Sequence, residues 1–186
     1  MAEETKRGGA PQEALLELRH IRKVFNAGTV SEMEVFHDFS LTIHKGEFIS
    51  VVGSNGSGKT TTLNLLCGSL MPDAGQILLH GTDITKMPEY KRAAFFGRVF
   101  QDPAKGTCPT MTILENMSLA DNKGRPFGLG RGVNRKKLDE YKQQLELLHL
   151  GLEDKIDLPV GVLSGGQRQA LALLISTMTP IELLVL

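Results

Sequence analysis

The sequence predicts an α/β fold built round a parallel sheet. Three observations predict it. Phe48-Ile-Ser-Val-Val52 is a short, β-branched apolar run, the pattern of a strand buried on both faces. A glycine-rich loop follows it directly, and a helical pattern follows the loop from Lys59 to Leu66. Further on, an Ala- and Leu-rich helix from Gly165 to about Thr177 precedes a second apolar strand, Ile181 to Leu186.

The other elements follow in order. Residues 1 to 13 are polar and read as a mobile tail. Leu15 to Phe25 alternates in part, with Leu16, Leu18, Ile21 and Val24 apolar, and predicts a strand. Asn26-Ala-Gly-Thr is a turn, and Val35 to Ile43 a second strand. Lys45-Gly46-Glu47 is a tight turn into the 48–52 run. Gly68 stops the first helix, and Pro72-Asp73-Ala-Gly75 turns the chain into a short strand, Gln76 to Leu79. Val99-Phe100-Gln101 ends another buried strand. Thr110 is the expected N-cap of a helix through Ile113, Leu114, Met117 and Leu119. Asp121 to Asn134 is glycine-rich and reads as a loop. Its Gly128-Leu-Gly130-Arg-Gly132 is discounted as a nucleotide fingerprint because no strand precedes it. Lys136 to Leu150 predicts an amphipathic helix.

Composition narrows the function. The chain has 186 residues and a formal net charge of +0. That balance gives no electrostatic reason to expect a nucleic acid, and the cluster Arg131, Arg135, Lys136, Lys137 reads as a solvated helix start. Two cysteines, Cys67 and Cys108, are too few for a disulfide framework and lack metal-site spacing. No signal-peptide pattern opens the chain, and no apolar stretch approaches the ~20 residues that span a bilayer. A membrane role would need another chain.

Two motifs carry chemistry. Gly53-Ser54-Asn55-Gly56-Ser57-Gly58-Lys59-Thr60 fits G-x-x-x-x-G-K-[ST], with Thr61 next to it. Glycines let backbone amides wrap a phosphate, and the helix N-terminus adds partial positive charge. Lys59 supplies a point charge for the β- and γ-phosphates, and Thr60 a hydroxyl for Mg²⁺. The pattern arises by chance in such a chain on the order of one time in a hundred. Leu163-Ser164-Gly165-Gly166-Gln167 opens a helix with Ser164 at its cap. Its amides form a second anion site with little side chain in the way. The plainer readings are a Gly/Ser turn for the first and an ordinary capped helix for the second. Beside each other, the two motifs weigh against both.

Together they resemble the Walker A and signature motifs of ATP-binding-cassette (ABC) ATPases, over about residues 14 to 186. The resemblance implies a P-loop NTPase (RecA-like) core with a parallel sheet, an N-terminal antiparallel β-subdomain and an α-helical subdomain at 102–162. It implies ATP and Mg²⁺ as cofactors. Gln101 resembles the Q-loop glutamine, which touches Mg²⁺ and the attacking water. Phe25 resembles the aromatic that stacks on adenine; a core Phe on the first strand is the alternative. Partners implied are a second ATPase subunit, with Ser164, Gly165 and Gly166 of one copy facing the γ-phosphate held by Lys59 of the other, and transmembrane permease subunits. A substrate-binding protein is a further partner, and nucleic acid is not one. The implied location is cytoplasmic, peripheral on the inner face of the plasma membrane.

The sequence departs from the family pattern at Leu183-Leu-Val-Leu186, which resembles the Walker B strand without the acidic pair that follows it. Glu182 precedes that strand and is rejected as the general base. The expectation is a truncated chain that binds ATP weakly and does not hydrolyse it appreciably. Alternatives are a soluble ABC ATPase acting on ribosomes or DNA, and a non-catalytic binding remnant. The loop at 121–134, with Arg98-Val-Phe-Gln-Asp-Pro, looks similar to bacterial importers, some carrying aromatic amino acids.

Overall fold

Local turn chemistry starts the first sheet. β1 (Ala14–Phe25) and β2 (Met33–His44) run antiparallel, with Leu16 opposite Ile43 and Phe25 opposite Met33. Asn26 and Gly28 take positive φ, and the Thr29 hydroxyl donates to the Asn26 carbonyl at 2.7 Å, closing the turn. The computed structural model describes residues 13–123 and 132–186. The expected tail at 1–13 therefore falls, but for Glu13, outside the described residues, as do Gly128 to Arg131.

β1 is the centre of its sheet. Its other edge pairs antiparallel with β3 (Ala74–Leu79), which pairs with the two-residue β4 (Thr82–Asp83), in the order β2-β1-β3-β4. Leu16, Leu18, Ile21 and Ile77 are almost wholly buried on it. Gly75 sits at φ 94, and a Cβ there would run into the Arg19 carbonyl oxygen at 2.6 Å, so only glycine fits that crossing. α1 (Lys59–Cys67) buries Thr62, Leu65, Leu66 and Cys67 and stops at Gly68, φ 81, whose N–H donates to the Asn64 carbonyl. These elements belong to the first of two compact units, Met1–Pro88 and Glu89–Leu186.

One expectation fails in this unit. Residues 48–52 form no strand, and Phe48 and Val52 are 91% and 87% exposed. β-Branched composition supplies propensity, but a parallel strand exists only through neighbours that take its N–H and C=O groups. No described strand pairs with this run.

In the second unit, the short α2 (Glu89–Arg92) leads into β5 (Phe96–Arg98), which pairs in parallel with β6 (Leu183–Val185). Among the described residues this is the one parallel ladder. α3 (Ile113–Asp121) is capped by Thr112, not by Thr110. Thr112 wins because Glu115 stands three residues on, so hydroxyl and carboxylate cap each other's backbone at 3.1 and 2.7 Å. α4 (Leu138–Glu146) is shorter than the expected 136–150: a 3₁₀ turn, Arg135–Lys137, precedes it, and the chain breaks out at His149, φ 53. α5 (Gly165–Thr177) spans the residues expected of it. The unit's core is Ile113, Leu114, Met117, Tyr141, Leu145, Leu152, Val160 and Leu171, all 2% exposed or less.

Candidate functional site

The glycine-rich loop is a cage closed by its own cation. Lys59 Nζ donates to the carbonyls of Gly53 and Ser54 at 2.7 and 2.6 Å, and Ser57 N–H donates to the Ser54 carbonyl at 3.3 Å. Gly56 and Gly58 lie at φ 84 and φ 90. Gly58 is the N-cap of α1, with no side-chain cap, so the first-turn amides and the dipole face outward. A Cβ on Gly58 would meet the Phe36 ring at 2.7 Å, and one on Gly53 would meet Ser57 Oγ at 2.5 Å. Gly53 to Ser57, and Thr60, are exposed, while Lys59 and Thr61 are half-buried.

The second motif is built as a reciprocal cap. Gln167 N–H donates to Ser164 Oγ at 3.3 Å, and Ser164 N–H donates to Gln167 Oε1 at 3.2 Å. Gln167 Nε2 reaches back to the Leu150 carbonyl at 3.2 Å, and Arg168 ties the approach through the carbonyls of Gly161 and Leu163. Gly165 and Gly166 are exposed, with nothing within 4 Å of the position a Cβ would take. The helix start is thus rigid behind and open in front.

Residues 36–186 match the family described as ABC transporter. The chain belongs to that family. It is 42% identical over 172 residues to the tyrosine transport ATP-binding protein of Clostridioides difficile, covering 92% of this chain and 68% of the relative. It is 39% identical over 161 residues to the spermidine/putrescine import ATP-binding protein PotA of Haemophilus influenzae, covering 86% of this chain but 38% of that longer relative. Among solved structures, a dimeric ATP-binding cassette in a post-hydrolysis state with ADP and Pi superimposes at TM-score 0.73 with 25% identity, over 91% of this chain and 72% of that one. The chain is therefore an ABC transporter ATP-binding subunit.

The loop fits what this family binds. Its glycines leave no side chain between the backbone and a phosphate, and its ammonium is already inside. Gln101 lies in an exposed bend just past β5, and the strand end is held by Val99 N–H donating to the Val185 carbonyl at 2.9 Å. Phe25 is half-buried at the end of β1.

Sequence reasoning missed three supporting residues. Phe36 packs on Gly58 from β2, a contact fixed only by the sheet. Asp73, read only as a turn residue, bonds both Lys23 and Val24 on β1. Asn116 is the third. Its amide is 4% exposed and makes four bonds to the backbone of residues 108 to 112, so it is a structural tie with no free nitrogen. Its signal lay in position, one turn past the helix cap. No helix is long and apolar enough to cross a membrane among the described residues.

Proposed function

We infer that this chain is the nucleotide-driven subunit of an importer whose permease carries an aromatic amino acid. The observation that carries the nucleotide part is the Lys59 ammonium lodged on the Gly53 and Ser54 carbonyls of an exposed glycine loop. The name of the Clostridioides difficile relative supports the cargo. Cargo itself would be selected by the permease, not by this chain.

Gly53 to Thr61 would hold the triphosphate, with Lys59 sharing its protons between loop carbonyls and phosphate oxygens. Thr60 would offer its hydroxyl to Mg²⁺, which supplies charge neutralisation at the β- and γ-phosphates. Ser164, Gly165, Gly166 and Gln167 of a second copy would complete the grip through amides and helix dipole. ATP would thereby draw two copies together on the inner face of the membrane, and permease subunits would read that closure. A substrate-binding protein outside would deliver the cargo. No residue of this chain is assigned as general base, since Glu182 precedes β6.

Calorimetric titration with ATP and Mg²⁺ tests the binding step. Saturable binding is expected from the chain and none from Lys59→Met; equal affinity in both overturns the reading. Proteoliposomes carrying the permease test direction and cargo: labelled tyrosine should accumulate inside with ATP on the cytoplasmic side. Extrusion, or indifference to aromatic amino acids, refutes that part.

A further inference from the structure

Phe25 ends β1 inside a set of contacts that phosphate binding does not need. Asp73 lies 50 residues along the chain from Lys23 and grips the strand end from across the sheet. One carboxylate oxygen accepts from Lys23 Nζ at 2.8 Å, the other from Val24 N–H at 2.7 Å, and Asp73 N–H donates to the Arg22 carbonyl at 2.9 Å. The three residues before Phe25 are thus tied to one turn. The Lys23 side chain is only 11% exposed, and its ammonium stands 5.6 Å from the centre of the Phe25 ring. The Lys23 hydrogen bond, then the Val24 N–H, hold the Asp73 carboxyl below the usual carboxylate range, so Asp73 is a carboxylate at neutral pH.

The position of this cluster is set by strand register. Lys23 pairs with Phe36, and the Phe36 ring lies where a Cβ on Gly58 would be. Phe25 is two residues further along the same strand. An aromatic ring is therefore held beside the end of the sheet that touches the phosphate loop.

We propose that Lys23 and Asp73 are positioning residues that set the Phe25 ring as a platform for the nucleobase, which stacks on the face away from the ammonium. This rests on the reading of Phe25 as the stacking aromatic. Asp73 fixes the ammonium, and the ammonium covers one face of the ring and fixes its rotamer. A ring already ordered stacks without a further loss of side-chain freedom. A cation on one face also draws electron density from the other, which suits an electron-rich purine.

Titration of the purified chain with ATP and with inorganic tripolyphosphate separates base from phosphate binding. Phe25→Ala should lose about tenfold for ATP and nothing for tripolyphosphate. Lys23→Met and Asp73→Asn should each lose roughly threefold for ATP alone. Lys23→Arg should keep the wild-type affinity. Lys23→Met added to Phe25→Ala should cost nothing more. Wild-type ATP affinity in Lys23→Met, an equal loss for tripolyphosphate, or additive losses in the double variant would overturn the positioning role and leave Phe25 as the platform. No loss in Phe25→Ala would overturn the platform itself. Retained tripolyphosphate binding reports that each variant is folded.

Discussion

Lys59 and Tyr141 put opposite demands on their surroundings. Lys59 opens α1 half-buried, and the Gly53 and Ser54 carbonyls of the glycine-rich loop take its hydrogen bonds. Tyr141 is wholly buried, and its hydroxyl donates to Asp121 at 3.2 Å while Lys137 pairs with the same carboxylate at 2.9 Å. Burial first, and the negative Asp121 second, push the phenol up to about 12. A raised acid favours the neutral form in the folded state. Its stabilisation is whole below the usual value near 10 and is lost as pH rises from there towards 12. Urea midpoints at pH 9 and pH 11 check this: Tyr141→Phe should lose less stability than the wild type between them. An equal loss would mean that the buried phenol is not the group titrating.

The starts of α5 and α1 are built by different chemistry. α5 begins with Ser164 and Gln167 capping each other. Ser164→Ala should cost about 1 kcal/mol of thermal stability, and it would also remove a hydroxyl from the open face. α1 begins instead with a left-handed glycine against an aromatic ring. Gly56 shares the positive φ but has open space where a Cβ would go. Gly56→Ala should therefore cost only the backbone penalty, roughly 1–2 kcal/mol. Gly58→Ala meets the same penalty and the Phe36 ring as well, so its melting temperature should fall further. Equal shifts in the two variants would show that the ring yields freely.

At the scale of the whole chain, binding and turnover make separate demands. Holding a triphosphate needs only amides and an ammonium, and residues 53–61 contain both. Turnover needs a base placed on the attacking water, and no residue of the chain is assigned to it. Steady-state phosphate release from the purified 186-residue chain should stay at background while ATP still binds. Mg²⁺-dependent turnover abolished by Lys59→Met would refute this.

Legibility followed the range of the interactions. The form of the glycine-rich loop, the Gly68 stop and the full span of α5 were readable because each depends on residues within a few positions of one another. The α3 cap was misread by two residues because Thr110 and Thr112 are both competent caps. Glu115, three residues after Thr112, was the sign that separates them. The tie from Asp73 to Lys23 and the seat of Phe36 against Gly58 could not be read, since both cross the sheet between segments far apart in sequence.

The residues alone therefore settle the form of the glycine-rich loop: glycine torsions, a helix N-terminus and one lysine are all local. Folding in three dimensions settles which apolar runs become strands. Leu183–Val185 found Phe96–Arg98 and is ordered in parallel with it, whereas 48–52, with the stronger β composition, has no described ladder partner and stays exposed. The reason is that a strand's hydrogen bonds belong to its neighbours, so its existence is a property of the sheet rather than of its own side chains.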